Sequence, residues 1–274
     1  MNKLRFLHIP KTAGSTFSSI LTKQYRGKVN FEFSGDNELD IKRFRELSLG
    51  EQKTVVLFTG HAPILTGIPE ADDIAIITIL REPVSRVKSF CQHVSEGKSP
   101  HLVAAFPPES FTLDEFLYSE NNEISNLQAR MLIDYERHRV EPLVTNFSME
   151  ELKNRALENL FEKVRCFGIQ EYFDESLILF ADTLGWSMPF YEYRNRKDIK
   201  RLLKFEDHHI GRIKELNAVD IAVYQAAKER FLDKINSGDY NTKKLAVFKQ
   251  AKRIISPALH TYRQTGRAII RLFR

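Results

Sequence analysis

The chain has 274 residues, 42% of them hydrophobic, enough for one large α/β domain with a substantial buried core. Its net charge of +5 is unevenly placed: residues 241–274 carry nine Lys/Arg and no Asp or Glu, so the body before them is net acidic, and a basic nucleic-acid-binding body is excluded. Only two cysteines occur, Cys91 and Cys166, without CxxC spacing or a nearby His cluster, so neither a disulfide framework nor a structural zinc site is indicated.

Reduced thiols fit a cytoplasmic setting. No apolar run approaches the roughly 18 residues of a membrane span, and Leu4 to Ile9 is too short for a signal segment, so the expectation is a protein neither secreted nor integral.

In chain order, 4–9 (LRFLHI), 55–59 (VVLFT) and 74–80 (IAIITIL) are short, β-branched apolar runs of the kind buried on both faces of a parallel sheet, and 164–169 (VRCFGI) resembles a later strand. Helical periodicity falls at 15–25, 83–96, 113–119, 123–135, 149–163 and 174–184, and most strongly at 217–235. Strands alternating with helices predict a three-layer, doubly wound parallel α/β fold. The Pro and Gly residues of 60–69 and 97–108 mark loops. A break at 237–242 separates a domain of residues 1–240 from a basic extension, 241–274, whose mixture of Ile, Leu, Phe and cations suits either a packed or solvated appendage or peripheral contact with an anionic membrane.

The first strand runs straight into "PKTAGSTF" and a helix. Such a turn aims the unpaired N–H groups and positive dipole end of the helix into the crevice at the strand's carboxyl end. Lys11 adds a full charge, Ala13 and Gly14 allow close backbone approach, and Ser15 and Thr16 can cap the helix or donate to oxygens. The run is a phosphate-type cradle, although it lacks the first Gly of GxxxxGK[ST] and its Lys precedes the Gly. A second strand-to-helix junction, "TILREPVSRVKSF" at 78–90, leaves Arg81 at a strand tip on the same edge. It also places Ser85 and Ser89 on one helical face.

Together, "FLHIPKTAGSTF" and "LREPVSRVKSF" resemble the two cofactor signatures of sulfotransferases that use 3′-phosphoadenosine 5′-phosphosulfate (PAPS), most nearly carbohydrate O-sulfotransferases of the heparan-sulfate 2-O type and their bacterial relatives. "GHAPILTG", "NLQARML", "FGIQEYFDESLILFADTLGW" and "VDIAVYQAAKERF" extend the likeness over most of residues 4 to 235, with Glu82 standing where Asp is commoner and Ala129 where Thr is frequent. The resemblance implies the P-loop-like sulfotransferase fold. It also implies a 5′-phosphosulfate site at Lys11, Thr12, Ala13, Gly14, Ser15 and Thr16, a 3′-phosphate site at Arg81 and Ser89, and Tyr193 and Arg194 near the adenine and 3′-phosphate end.

Sulfuryl transfer needs in-line placement, positive charge at the leaving phosphate and a base for the acceptor hydroxyl. His61 follows the buried run VVLFTG, so it emerges at the edge shared by Lys11 and Arg81, and an imidazole suits proton abstraction near neutrality. The alternative is a structural loop histidine. His8 reads as structural or as orienting the cradle, and His208 and His209 as residues of a solvated loop. No metal is expected. The expected function is transfer of a sulfuryl group from PAPS to a hydroxyl of a carbohydrate or glycolipid. The alternatives are a P-loop-like small-molecule or nucleotide kinase and a non-catalytic protein that binds anionic glycans. Acceptor identity and oligomeric state are not legible.

Overall fold

The computed structural model describes residues 3–64, 66–68, 71, 74–119, 121–133, 147–191 and 202–253. Five strands, β1 (Leu4–Leu7), β2 (Val29–Phe33), β3 (Val55–Gly60), β4 (Ala75–Leu80) and β5 (Val164–Ile169), form one sheet in the order β2-β3-β1-β4-β5. Every neighbouring pair is parallel. The predicted parallel α/β sheet is therefore present, with one strand more than the sequence announced.

β2 was missed for a physical reason. It is an edge strand that buries Phe31 and Phe33 and leaves Val29, Asn30 and Glu32 exposed, so it lacks the continuous apolar run of a strand buried on both faces. The three central strands, β1, β3 and β4, have that run: all four residues of β1 are buried.

On one face of the sheet, α1 (Gly14–Gln24) and α8 (Phe173–Leu184) pack Phe17, Ile20, Leu21, Leu177, Ile178 and Phe180 against β1, β3 and β4. On the other lie α6 (Leu127–Met131), α7 (Met149–Glu158) and α10 (Ala218–Asn236), which bury Leu127, Leu152, Ala156 and Val223 against Leu7, Ile76, Leu80 and Val164. These are the three layers of a doubly wound sheet. Two short helices, α2 (Asn37–Arg45) and α3 (Leu49–Thr54), connect β2 to β3.

Beyond the sheet edge, α4 (Pro83–Ser95), α5 (Leu113–Leu117) and α9 (Asp207–Leu216) share a smaller core of Val87, Phe90, Cys91, Val94, Phe116 and Ile213. The helix expected over 123–135 is cut to α6 because Asn126 adopts a left-handed conformation, φ 43°, at its start. Residues 208 and 209, expected in a solvated loop, open α9 instead.

The basic segment from 241 continues as a helix over 242–253, and Phe248 is fully buried in the core beside α8. The predicted separation at 240 is therefore not a packing break. Tyr193 and Arg194, and the tail beyond 253 with its membrane reading, lie outside the described residues.

The chain leaves β1 toward β2 and β3 on one side, then returns to place β4 and β5 on the other. The carboxyl ends of β1 and β4 thus flank the topological switch point, where open α/β sheets bind ligands.

Candidate active site

A cavity of about 1400 Å³ opens at that switch point. Pro10, Lys11, Ala13, Gly14, Ser15 and Thr16 line it from the first turn, His61 from the tip of β3, Arg81 from the tip of β4, and Ser85 and Ser89 from α4. At the cavity a hydrogen bond joins the two motifs: the Arg81 guanidinium donates from Nη1 to the Lys11 carbonyl at 2.9 Å.

The first turn is made by two non-glycine residues in the left-handed region, Lys11 (φ 70°) and Ala13 (φ 71°). Ala13 is the N-cap of α1, and no side chain caps that helix, which leaves its leading amides directed at the cavity. The start of α4 is closed by contrast: the Glu82 carboxylate accepts from Val84 N–H at 2.9 Å and Ser85 N–H at 2.7 Å. Of these two helix N-termini, that of α1 presents donors without a side-chain cap and that of α4 does not.

Two expectations within the turn need correction. Thr12 is fully buried and does not line the cavity; its hydroxyl donates to the Ile9 carbonyl at 2.8 Å and braces the turn from behind. Gly14 leaves room for a side chain rather than for a ligand alone, because a Cβ there would sit 1.5 Å from His8 Nε2.

The His8 imidazole is wedged between Gly14 and His61, with the two imidazole centroids 4.2 Å apart. Burial, with His61 and the Lys11 charge adding to it, pulls His8 from 6.5 down to about 3, so the ring is neutral near pH 7. His61 Nδ1 lies 2.9 Å from the His8 carbonyl. A carbonyl can only accept, so Nδ1 carries the proton and Nε2 is left as the basic nitrogen. Gly60 makes this placement possible: it has φ 111°, and a Cβ would approach Phe33 O to 2.2 Å.

Arg81 sits at the end of β4 with its backbone clamped by Gln128. Desolvation lowers its guanidinium below the ordinary value, and the charges of Glu171 and Glu82 oppose that shift. Ser85, Lys88, Ser89, Gln92 and His93 form one polar stripe of α4 toward the cavity, opposite the apolar stripe of Val87, Cys91 and Val94, while Phe90 reaches both the cavity and the small core. Lys88 and His93 are not among the residues singled out from the sequence, although they continue the Ser85 face at i+3 and i+8. Burial and the Lys11 and Lys98 charges pull His93 down to about 4. Lys98, Ser99, Pro100 and His101 add a rim from the loop after α4, and Lys249 adds one from helix 242–253.

Arg86, three positions before Ser89, is fully buried away from the cavity, donating to the Glu123 carbonyl at 2.8 Å. Asn126, Gln128 and Arg130 of "NLQARML" are also buried off the cavity, within a network around Asp220 and Asn217.

Asp114, His208 and His209 are grouped closely enough to suggest a metal site. The hydrogen bonding argues otherwise. His209 Nδ1 accepts from Glu206 N–H at 3.0 Å, so its Nε2 holds the proton and faces Asp114 Oδ1 at 3.3 Å. The cluster ties α9 to α5, and none of the three lines the cavity.

The model of the galactose-3-O-sulfotransferase family matches residues 1–253. The chain belongs to that family. Among curated relatives it is 26% identical to heparan-sulfate 6-O-sulfotransferase 2 of Gallus gallus, covering 84% of this chain and 66% of that protein. It is 27% identical to heparan-sulfate 6-O-sulfotransferase 1 of Homo sapiens, covering 82% and 64%. The chain thus spans slightly less than two thirds of these relatives. The resemblance to carbohydrate O-sulfotransferases holds, while the 2-O type gives way to 6-O relatives. A solved mouse sulfotransferase complexed with PAP aligns over 95% of this chain and 89% of its own at 12% identity and a TM-score of 0.40, too distant a likeness to add to fold or site.

Proposed function

We propose that this chain transfers the sulfuryl group of PAPS to a hydroxyl of a carbohydrate or glycolipid. The observation that carries the reading is the hydrogen bond from Arg81 to the Lys11 carbonyl, which makes the uncapped α1 turn and the arginine-tipped strand two walls of one cavity. A nucleotide with anionic groups at both its 5′ and 3′ positions matches two cationic walls so arranged. The family membership supports the same chemistry.

His61 Nε2 takes the proton of the acceptor hydroxyl as that oxygen bonds to sulfur. The bond from sulfur to the 5′-phosphate oxygen breaks, and Lys11 with the leading amides of α1 holds the charge that develops on the departing phosphate. Adenosine 3′,5′-bisphosphate (PAP) and a sulfate ester are the products. Arg81 and Ser89 hold the 3′-phosphate, and the neutral His8 ring keeps His61 and the turn in register without adding a second positive charge beside Lys11. Cys91 and Cys166, both buried free thiols, support the cytoplasmic setting we assign, which fractionation of expressing cells would decide.

The test is transfer of labelled sulfate from PAPS to a panel of sugar, glycolipid and phenolic acceptors. Lys11→Ala and His61→Ala should each reduce turnover by about 10²- to 10⁴-fold with unchanged circular dichroism. Full activity in either variant removes the role given to that residue. Thermal stabilisation by ATP with Mg²⁺ but not by PAP would favour a kinase, and glycan binding without transfer a non-catalytic protein.

A further inference from the structure

We infer that Gln128 is a positioning residue for recognition of the 3′-phosphate, acting through the backbone of Arg81. The inference rests on the proposed role of Arg81. The β4–β5 ladder ends at the pair Leu80 and Ile169, so the peptide groups of Arg81 lie beyond the sheet's own hydrogen bonding. A single carboxamide takes up both: Arg81 N–H donates to Gln128 Oε1 at 2.9 Å, and Gln128 Nε2 donates to the Arg81 carbonyl at 2.8 Å. A donor and an acceptor side by side in one plane are what Asn and Gln offer, and Asn is a methylene shorter.

The clamp is itself held. Gln128 is 1% exposed; its N–H donates to Asp220 Oδ2 at 3.1 Å, and the next amide, Ala129 N–H, donates to Asp220 Oδ1 at 2.7 Å. At the other end, the Arg81 guanidinium reaches the Lys11 carbonyl. A continuous chain of hydrogen bonds therefore runs from the buried carboxylate of α10, through Gln128 on α6 and Arg81 at the strand tip, to the turn before α1. Gln128 has no place in the cavity lining, so its effect on binding must pass through the orientation of Arg81. A guanidinium fork is selective for a phosphate only while its plane is fixed.

The experiment compares calorimetric affinities for PAP and for adenosine 5′-phosphate, which lacks the 3′ group, in the wild type, Arg81→Ala, Gln128→Met and Gln128→Glu. Arg81→Ala should abolish the preference for PAP. Gln128→Met should lower that preference by about ten-fold or more while leaving adenosine 5′-phosphate affinity nearly unchanged. Gln128→Glu keeps the acceptor for Arg81 N–H, so it should lose less, and it serves if the Met variant does not fold. An unaltered preference in the folded Gln128 variants, or an equal loss for both ligands, overturns the inference. A preference for PAP that survives Arg81→Ala overturns the Arg81 assignment, and the inference with it.

Discussion

Gly14 and His8 illustrate how one small residue can couple the cavity-lining turn to the His61 imidazole. The imidazole occupies the volume a Cβ would need and then stacks beside His61, whose proton is fixed by the His8 carbonyl. Gly14→Ala should destabilise the fold by about 1–3 kcal/mol through overpacking and should impair turnover, because His8 has to move. In a double-mutant cycle by urea unfolding, His8→Ala should relieve that cost. Additivity within about 0.5 kcal/mol would show that the two positions do not contact each other as described. The sequence marked Gly14 as special but for the wrong reason. The left-handed residues of the turn are Lys11 and Ala13, each strained by about 1 kcal/mol or more, and nothing in their identity announces it. Such strain is held in place by its surroundings, here the Thr12 hydroxyl on Ile9 and the Arg81 guanidinium on Lys11.

Among the helices, α6 and α10 cap each other. Asn126 Oδ1 accepts from Val219 N–H at 3.0 Å and Asp220 N–H at 3.1 Å at the start of α10, while the Asp220 carboxylate takes the first amides of α6. This exchange explains why "NLQARML" and "VDIAVYQAAKERF" both bear on the site although neither Asn126 nor Asp220 lines it. Asn126→Ala should cost about 2–3 kcal/mol, combining a lost cap with a left-handed alanine, and Asn126→Gly should cost about 1 kcal/mol less because glycine tolerates φ 43°. Equal losses in chemical denaturation would mean that the backbone conformation contributes nothing. A reading by periodicity placed Asn126 and Gln128 on a helix without assigning them, since their side-chain partners, Val219 and Asp220 for Asn126 and Arg81 for Gln128, lie far away in sequence.

For the molecule as a whole, residues 242–253, the first part of the basic segment, belong to the fold. Phe248 is fully buried, with its ring stacked 5.4 Å from Phe190, and Lys244, Lys249 and Lys252 pair with Asp182, Glu175 and Asp174 of α8. The acidic balance of the body and the basic balance of the tail are therefore two sides of one contact, at least through residue 253. Phe248→Ala should lower the unfolding free energy by about 3–5 kcal/mol. A change below about 1 kcal/mol would indicate that helix 242–253 does not dock. Because Lys249 also lines the cavity, this docking completes the site's wall.

The sequence by itself determined the strands buried on both faces, the two strand-to-helix turns and the gathering of Lys11, His61, Arg81 and Ser89 at one edge, because continuous apolar runs and turn chemistry are local signals. It could not supply the edge strand β2, which buries only one face, nor the inward course of Thr12 and Arg86. Only the tertiary structure decided that the α1 amides stay open while Glu82 closes α4, that His61 holds its proton on Nδ1, and that Gln128 grips Arg81. Each of these depends on a hydrogen-bond partner brought from a distant part of the chain, and the pairing of distant groups is set by packing rather than by local pattern.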